Sequence, residues 1–373
     1  MSRLSNLGDR GVSFAQFLGE YCNEPELARR RETAINFVEG FDAAPAERIS
    51  AKALARAEQS SGQEGGLRSL RLISGFDQII EVLRQTIDPE LGSIQLPSIV
   101  SAVRWKRGQV EIESHGPAGE LRPTVRARVS IITLPVGVLR AQPPAPAAIR
   151  FEPDVPEKRQ AASQLEMGSV VKILIRFKTI FWQDRRLGTL GPDDRLDRMA
   201  FLNAAKIPFA TWWSFFPVHC PVLVGWAGGP SATSLIGQSL TSILGQAIST
   251  LSVLLGLSSQ EIESQIEQFW VCDWQTDPFA RGAYSYVPVG AMDAAESLGK
   301  PVANTLFFAG EATDAQTFGG TVDSAIATGR SAARQILQLW PPRAISYPQF
   351  TARLQWPPCV VACSPPRRSW ACS

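Results

Sequence analysis

Histidine is almost missing from this 373-residue chain, which has only His115 and His219. A site that needs three imidazole ligands therefore cannot be built. The cysteines, at positions 22, 220, 272, 359, 363 and 372, form no CxxC pair, so a Cys/His zinc cluster has no suitable spacing and no metal site is expected. Their scatter also argues against a disulfide framework and reads as a reduced, cytoplasmic chain. No apolar core of signal-peptide length follows Met1-Ser2-Arg3-Leu4. No dense basic stripe accompanies the formal net charge of +2, which makes nucleic acid a poor partner. Residues 227–260 carry no charge at all, yet no window reaches the roughly 18 continuous apolar residues of a membrane span. Finally, the sequence has no GxGxxG phosphate-binding fingerprint. His115 lies in a Gly-Pro turn and His219 beside Cys220-Pro221, neither with a nucleophile signature. Catalysis, if present, has to come from a bound organic cofactor.

What is present centres on Leu306-Phe307-Phe308-Ala309-Gly310-Glu311-Ala312-Thr313, which runs through Gly319-Gly320 into a helix expected over about 321–339. An all-apolar start is what a buried strand needs. The glycines permit a tight turn and close backbone approach. Ser324, Ala325, Thr328, Gly329, Ala332 and Ala333 let the helix lie close to a neighbour, and its first turn at Thr321–Asp323 offers free N–H groups to a polar ligand. Any α/β protein contains such a unit, so it does not by itself name a function.

Taken in order, the chain starts helical. Phe14, Phe17, Leu18 and Tyr21 share one face, Ile35, Phe37, Val38 and Phe41 follow, and Pro45 is read as opening a helix through Ala57. Residues 60–66 read as a loop. Gly75 precedes a helix bearing Ile79, Ile80, Val82, Leu83 and Ile87. Strands are expected over 99–105, 110–114 and 125–133, the last running on to Pro135. A Pro/Ala-rich linker at 142–148 leads to a short polar helix at 156–165. The strand over 167–177 then holds Lys172 among aliphatics, costly unless the lysine is paired or used; a lysine reaching from an edge strand to water is the alternative. Further strands are expected at 210–216 and 222–226. Leu235, Ile236, Leu240, Ile243, Leu244, Ala247, Ile248, Leu251 and Leu255 form one face of an amphipathic helix. Ser258 to Glu261 reads as a capping box. The run 269–287 is dense in aromatics and glycine, as core or as packing for a flat ring. The Pro-rich tail after Trp340 has no periodicity and reads as disordered.

Four blocks then become specific in combination: Thr133-Leu-Pro-Val-Gly-Val-Leu139, Met167-Gly-Ser-Val-Val-Lys172 with Phe181-Trp182, Trp274 through Asp277-Pro-Phe-Ala-Arg-Gly-Ala-Tyr-Ser-Tyr286, and Phe308-Ala-Gly-Glu311. In this order they resemble the flavin-dependent amine oxidases, which include monoamine oxidases, polyamine oxidases and flavin histone-lysine demethylases. The resemblance covers about residues 70–340 and decides the open readings of Lys172 and the glycine turn. It implies that Lys172 holds a water near flavin N5, and that Tyr284 forms one wall of an aromatic cage for the amine. It further implies that Trp274 lies against the flavin and that Glu311 contacts the ribityl or ribose region beside Thr321 and Val322. Val100, Pro135 and Gly310 complete the implied cofactor contacts. Thr321 stands where monoamine oxidases carry the second cage tyrosine, so half of that cage is absent. Ala283 stands where they carry the flavin-linked cysteine, so FAD is expected to bind non-covalently. The implied reaction takes hydride from the carbon beside a neutral amine, hydrolyses the imine, and reoxidises the flavin with oxygen to give hydrogen peroxide.

The expected fold is α/β with α+β: an incomplete, Rossmann-like FAD-binding domain interleaved with a mixed-sheet and helical substrate domain. Residues 1–69 are assigned to the helical part of the substrate domain and 70–145 to part of the FAD-binding domain. Residues 146–270 return to the substrate domain, 271–340 to the FAD-binding domain, and 341–373 are the tail. The family's first βαβ unit, whose glycines cradle the FAD pyrophosphate, has no counterpart in this sequence. A truncated product, completed by a separate chain bearing that unit, is therefore expected; a non-catalytic remnant or scaffold that holds no FAD is the alternative. Flavin oxidases or desaturases acting on C–C bonds are a weaker reading, because Lys172 with Tyr284 points to amines.

Overall fold

The computed structural model describes residues 11–63, 69–72, 75–185, 196–205, 207–317, 319–340 and 360–363. Alternation along the strand Val170–Phe177 sets the largest core. Val171, Ile173, Ile175 and Phe177 are buried on one face, while Lys172, Leu174 and Arg176 occupy the other. This strand sits between Ile266–Asp273 and Val222–Gly228, and the antiparallel sheet continues through Thr211–Trp213 to Phe201–Asn203. Its buried face packs against the helix Leu240–Leu255 and against Ile262 of Ser259–Gln265. Ser239 caps the longer helix by accepting from the Ser242 amide, and Gly256 ends it in the left-handed conformation at φ 63°. The capping box of Ser258 and Glu261 forms as expected. The uncharged stretch is nevertheless not one helix. A short helix, Gly229–Thr233, and a turn at Gly237 precede the cap, so Leu240 starts the long helix 59% exposed instead of joining its buried stripe. No single helix among the described residues is long and apolar enough to cross a membrane.

A second lobe holds the hairpin Ile99–Lys106 and Gln109–His115, flanked by Val125–Ala127 and, in parallel, by Arg150–Glu152. The single strand expected over 125–133 is in fact two. Its second half, Ser130–Ile132, leaves this sheet to pair in parallel with Leu306–Phe308. The strand expected over 167–177 also divides: Glu166–Met167 pairs with Ser285–Tyr286, and the ladder breaks at Gly168-Ser169 before Val170. The strand expected at 210–216 is shorter, Thr211–Trp213. In each case the long-range partner, invisible to local pattern, decides where a strand stops.

Near the start, Phe14–Tyr21 is capped by a Ser13–Gln16 box and buries Phe14, Phe17 and Leu18 against Val38, Ile49 and Tyr286. After the helix Ala28–Phe41 no helix opens at Pro45. Ile49 and Ser50 are taken up in bridges to Pro288 and Ser13, so the next helix starts at Ala51 and runs to Gln63, through part of the expected loop. The helix Asp77–Gln85 forms where its periodicity predicts, but Ile80 stays 67% and Leu83 40% exposed. The disorder expected of 341–373 lies outside the described residues, except that Val360–Cys363 pairs antiparallel with Ser69–Leu72.

One buried cation ties the second lobe together. Lys158, only 3% exposed, comes from the helix Pro156–Gln164. Its ammonium donates to the carbonyls of Ser297 (2.7 Å), Leu298 (3.1 Å) and Lys300. These are the orphan acceptors at the end of the helix Ala294–Gly299. Removing the donor strands several buried carbonyls at once. Lys158→Met is expected to lower stability by about 2–3 kcal/mol, read as the midpoint of urea unfolding at unchanged slope.

Candidate active site

Three distant segments meet where glycine leaves no side chain between them. The Gly168 amide donates to the Tyr284 carbonyl at 2.7 Å, and the Ala283 amide to the Gly168 carbonyl at 2.9 Å. A Cβ at Gly168 would stand 2.8 Å from the Ala43 Cβ, and one at Gly282 (φ +143°) 2.5 Å from the Met167 Cβ. The bend before the Lys172 strand, the Tyr284 segment and the turn after the first helices are thus pressed together. Cys272 pairs with Lys172 and Asp273 with Val171, so the chain leaves the sheet toward Trp274 beside the Lys172 strand. The Trp274 carbonyl accepts from Gly282 at 2.9 Å and closes the loop, with the ring 40% exposed. A Cβ on Gly137 would lie 2.6 Å from the Arg281 Cβ, which puts the Pro135 turn directly against the same loop.

Glu311 fastens the other side. Its carboxylate accepts from the Ser285 hydroxyl (2.8 Å), the Ser285 amide (3.2 Å) and the Gly320 amide (2.8 Å). Gly310 precedes it at φ 129°, with open space where a Cβ would point and its amide on the Thr328 hydroxyl at 3.0 Å. Asp314 holds the following turn: burial raises its pKa, but the Thr317 hydroxyl and the Thr317 and Gln316 amides more than offset this, for a net lowering. Gly320 lies against the Tyr284 ring, 3.6 Å from where its Cβ would be. Thr321 caps the helix Val322–Leu339 by accepting from Ser324 at 3.1 Å, and Val322 is 57% exposed. Lys172, Tyr284, Trp274, Pro135, Gly310, Glu311, Thr321 and Val322 therefore belong to one connected set of segments. Val100 lies opposite Ser114 in the hairpin and packs against the cluster of Val103, Ile132 and Phe308, the last of these in the strand that leads into Gly310 and Glu311.

Several residues of the site went unread in the sequence. The Tyr284 hydroxyl donates to the Phe41 carbonyl, and the Trp226 indole donates to the Gly40 carbonyl at 2.7 Å. Trp226 stands across from Lys172 in the sheet and lies 6.0 Å from Trp213, so the lysine's face of the sheet is aromatic. Asp42 follows Phe41, and burial pushes its carboxyl up to about 7. Burial, and then the Asp42 charge, push the Tyr284 phenol well above its usual range. The Lys172 ammonium has no hydrogen bond or ion pair among the described residues. His115 and His219 sit elsewhere, against the Gly116 carbonyl and the Phe216 ring. No group of three or more metal-ligating side chains occurs among the described residues.

The model of the flavin-containing amine oxidoreductase family matches residues 7–337. The chain belongs to that family. Polyamine oxidase 2 of Arabidopsis thaliana is 31% identical over 335 residues, covering 87% of this chain and 61% of its own length. Lysine-specific histone demethylase 1 homolog 3, also of Arabidopsis thaliana, is 30% identical over 277 residues, 71% of this chain and 15% of the relative. This family member thus spans less than two thirds of those relatives. Among solved structures, wild-type putrescine oxidase bound to putrescine superimposes with a TM-score of 0.68 at 20% identity, covering 87% of this chain and 68% of the other. Cyclohexylamine oxidase from Brevibacterium oxydans gives 0.64 at 18% identity, with 88% and 68% covered. These neighbours establish the expected fold, α/β with a mixed-sheet and helical part.

Two measurements probe this geometry. Glu311→Ala removes the shared acceptor, and hydrogen exchange at the Ser285 and Gly320 amides is expected to speed by about tenfold or more, with the sheet core unchanged. For Asp42, the raised carboxyl favours the folded state below its unfolded value. That stability is complete below about pH 4 and is lost as the pH rises through about 7. Asp42→Asn should abolish this component of the change in melting temperature across the window.

Proposed function

We propose that this chain carries the catalytic portion of an FAD-dependent amine oxidase, which oxidises an amine to an imine with oxygen as acceptor. The products are a carbonyl compound, ammonia or a smaller amine, and hydrogen peroxide. The observation that carries the reading is the convergence of Lys172, Tyr284, Trp274 and the Glu311–Thr321 turn through Gly168 and Gly320. The polyamine oxidase and putrescine oxidase relatives support an amine as substrate.

The residues present fit the flavin end of the cofactor. Gly310 leaves open space beside the strand end, and the exposed Thr321–Val322 turn starts an 18-residue helix whose free amides suit an electron-rich group. Trp274 offers an exposed ring for stacking. Ala283 has no sulfur to attach a flavin, so FAD is held non-covalently. Bound there, FAD would supply the hydride acceptor and return its electrons to oxygen. The Lys172 ammonium, with no side-chain partner among the described residues, would hold a water. Tyr284, fixed by its bond to Phe41, orients the amine, while Trp226 and Trp213 exclude solvent from the lysine's side of the sheet. Thr321 leaves the position facing Tyr284 small and exposed.

The pyrophosphate end is another matter, since no GxGxxG occurs in the 373 residues. We infer that a separate dinucleotide-binding unit completes the site. The uncovered apolar side chains Phe76, Ile80, Leu91 and Leu96 in the FAD-binding lobe support that inference. The missing fingerprint equally favours a second reading, a scaffold of the same fold that holds no FAD.

The visible spectrum after incubation with FAD and gel filtration separates the two. A retained flavin band, bleached by an amine without oxygen, is the expected result, and Lys172→Met should then slow reoxidation by about tenfold or more. A colourless, folded protein would instead establish the scaffold.

A further inference from the structure

The turns that hold the candidate active site also wall an open cavity of about 570 Å³. Gly137 comes to it from the Pro135 turn, Met167 from the short strand before Gly168, and Arg281 from the loop after Trp274. None of Lys172, Tyr284, Trp274 and Glu311 lines it. Its charged lining is three guanidinium groups, Arg48, Arg140 and Arg281, against one carboxylate, Glu166.

That carboxylate is already taken. One Glu166 oxygen accepts from the Arg48 guanidinium and the other from the Tyr286 hydroxyl. Arg140 and Arg281 have no carboxylate partner among the described residues; they donate to the carbonyls of Leu165 (3.3 Å) and Pro146 (2.5 Å). The Arg281 Nε is buried with no acceptor among the described residues, a costly state for a charged group. Arg281 is also held at φ 56°, where glycine would be easier. Burial, then the bond to Glu166 and its charge, push the Tyr286 phenol up, while the Arg48 and Arg140 charges both pull against this. Those two guanidinium groups therefore act at the Glu166 end of the cavity. Two positive charges are left without a counter-charge, and guanidinium forks match phosphate oxygens two at a time. Forks that arrive from separate turns suit a tetrahedral, multiply charged anion better than a flat carboxylate.

We propose that this cavity binds a phosphate-bearing anion, held by Arg140 and Arg281 with the exposed Arg48 at its rim. The site is independent of the amine-oxidase reading, and no step of that chemistry passes through it. A bound anion would tie together the Pro135 turn, the strand before Gly168 and the Trp274 loop, because each contributes part of the wall.

The test is calorimetric titration of the folded chain with inorganic pyrophosphate at fixed ionic strength, with citrate as the carboxylate comparison. Wild type is expected to bind pyrophosphate and to prefer it over citrate by about tenfold, the scale of one charge-assisted contact. Its melting temperature should rise with pyrophosphate concentration. Arg281→Gly removes a guanidinium where the backbone favours glycine. It should keep its circular dichroism and its melting temperature without pyrophosphate, yet bind the anion about tenfold more weakly. Arg140→Gln should weaken binding by a similar factor, and Arg126→Gln, at an exposed guanidinium outside the cavity, should leave it unchanged. A wild-type protein that binds no pyrophosphate, or that prefers citrate, overturns the proposal. So does pyrophosphate binding that survives both Arg281→Gly and Arg140→Gln, or that Arg126→Gln weakens equally. Displacement of pyrophosphate by FAD would assign the cavity to the cofactor and overturn a separate site.

Discussion

The crossing at Gly168 is the contact on which the rest of the site depends. Two backbone hydrogen bonds join it to Ala283 and Tyr284, and the Ala43 methyl presses on its other side. Backbones approach this closely only where a side chain is absent. From that point the strand carrying Lys172 runs into the large sheet, while the segment carrying Tyr284 runs on to Ser285 and the Glu311 buckle. A side chain at this one position would push apart the lysine, the tyrosine and the first helical layer together.

The two central carboxylates are used in opposite ways. Glu311 is satisfied by three donors from two loops, so its charge is spent on holding Ser285 against Gly320. Its part is to set the shape of the turn that leads into the helix N-terminus. Asp42 has no such donors among the described residues, and burial raises its carboxyl to about 7. The Lys172 ammonium likewise has no ion pair among the described residues, on the aromatic side of the large sheet. Lys158, in contrast, is paired with three backbone carbonyls.

Much of this was legible before any coordinates. The alternation around Lys172, the apolar run ending at Gly310-Glu311, the small-residue helix after Gly319-Gly320 and the Ser258–Glu261 cap are local signals, and each formed as its pattern required. Local signals failed where a partner far along the chain ruled. The 125–133 strand was divided between two sheets by Leu306–Phe308. Bridges from Ser13 and Pro288 took the backbone of 49–50 and delayed a helix that Pro45 seemed to open. Asp42 carried no signal at all, because a lone aspartate after a helix is ordinarily a solvated end.

The sequence by itself determined the family and the order of the motif blocks, since these are written in residue type and spacing, and through the resemblance of those blocks it pointed to Lys172, Tyr284, Trp274 and Glu311 as site candidates. Only the tertiary structure decided that the Glu311 carboxylate accepts from Ser285 and Gly320, that Val100 packs against Phe308, and that the Phe41 carbonyl receives the Tyr284 hydroxyl. The reason is physical: residue type and spacing act over a few neighbours, whereas burial, charge compensation and close approach are set by whatever the folded chain brings from far away.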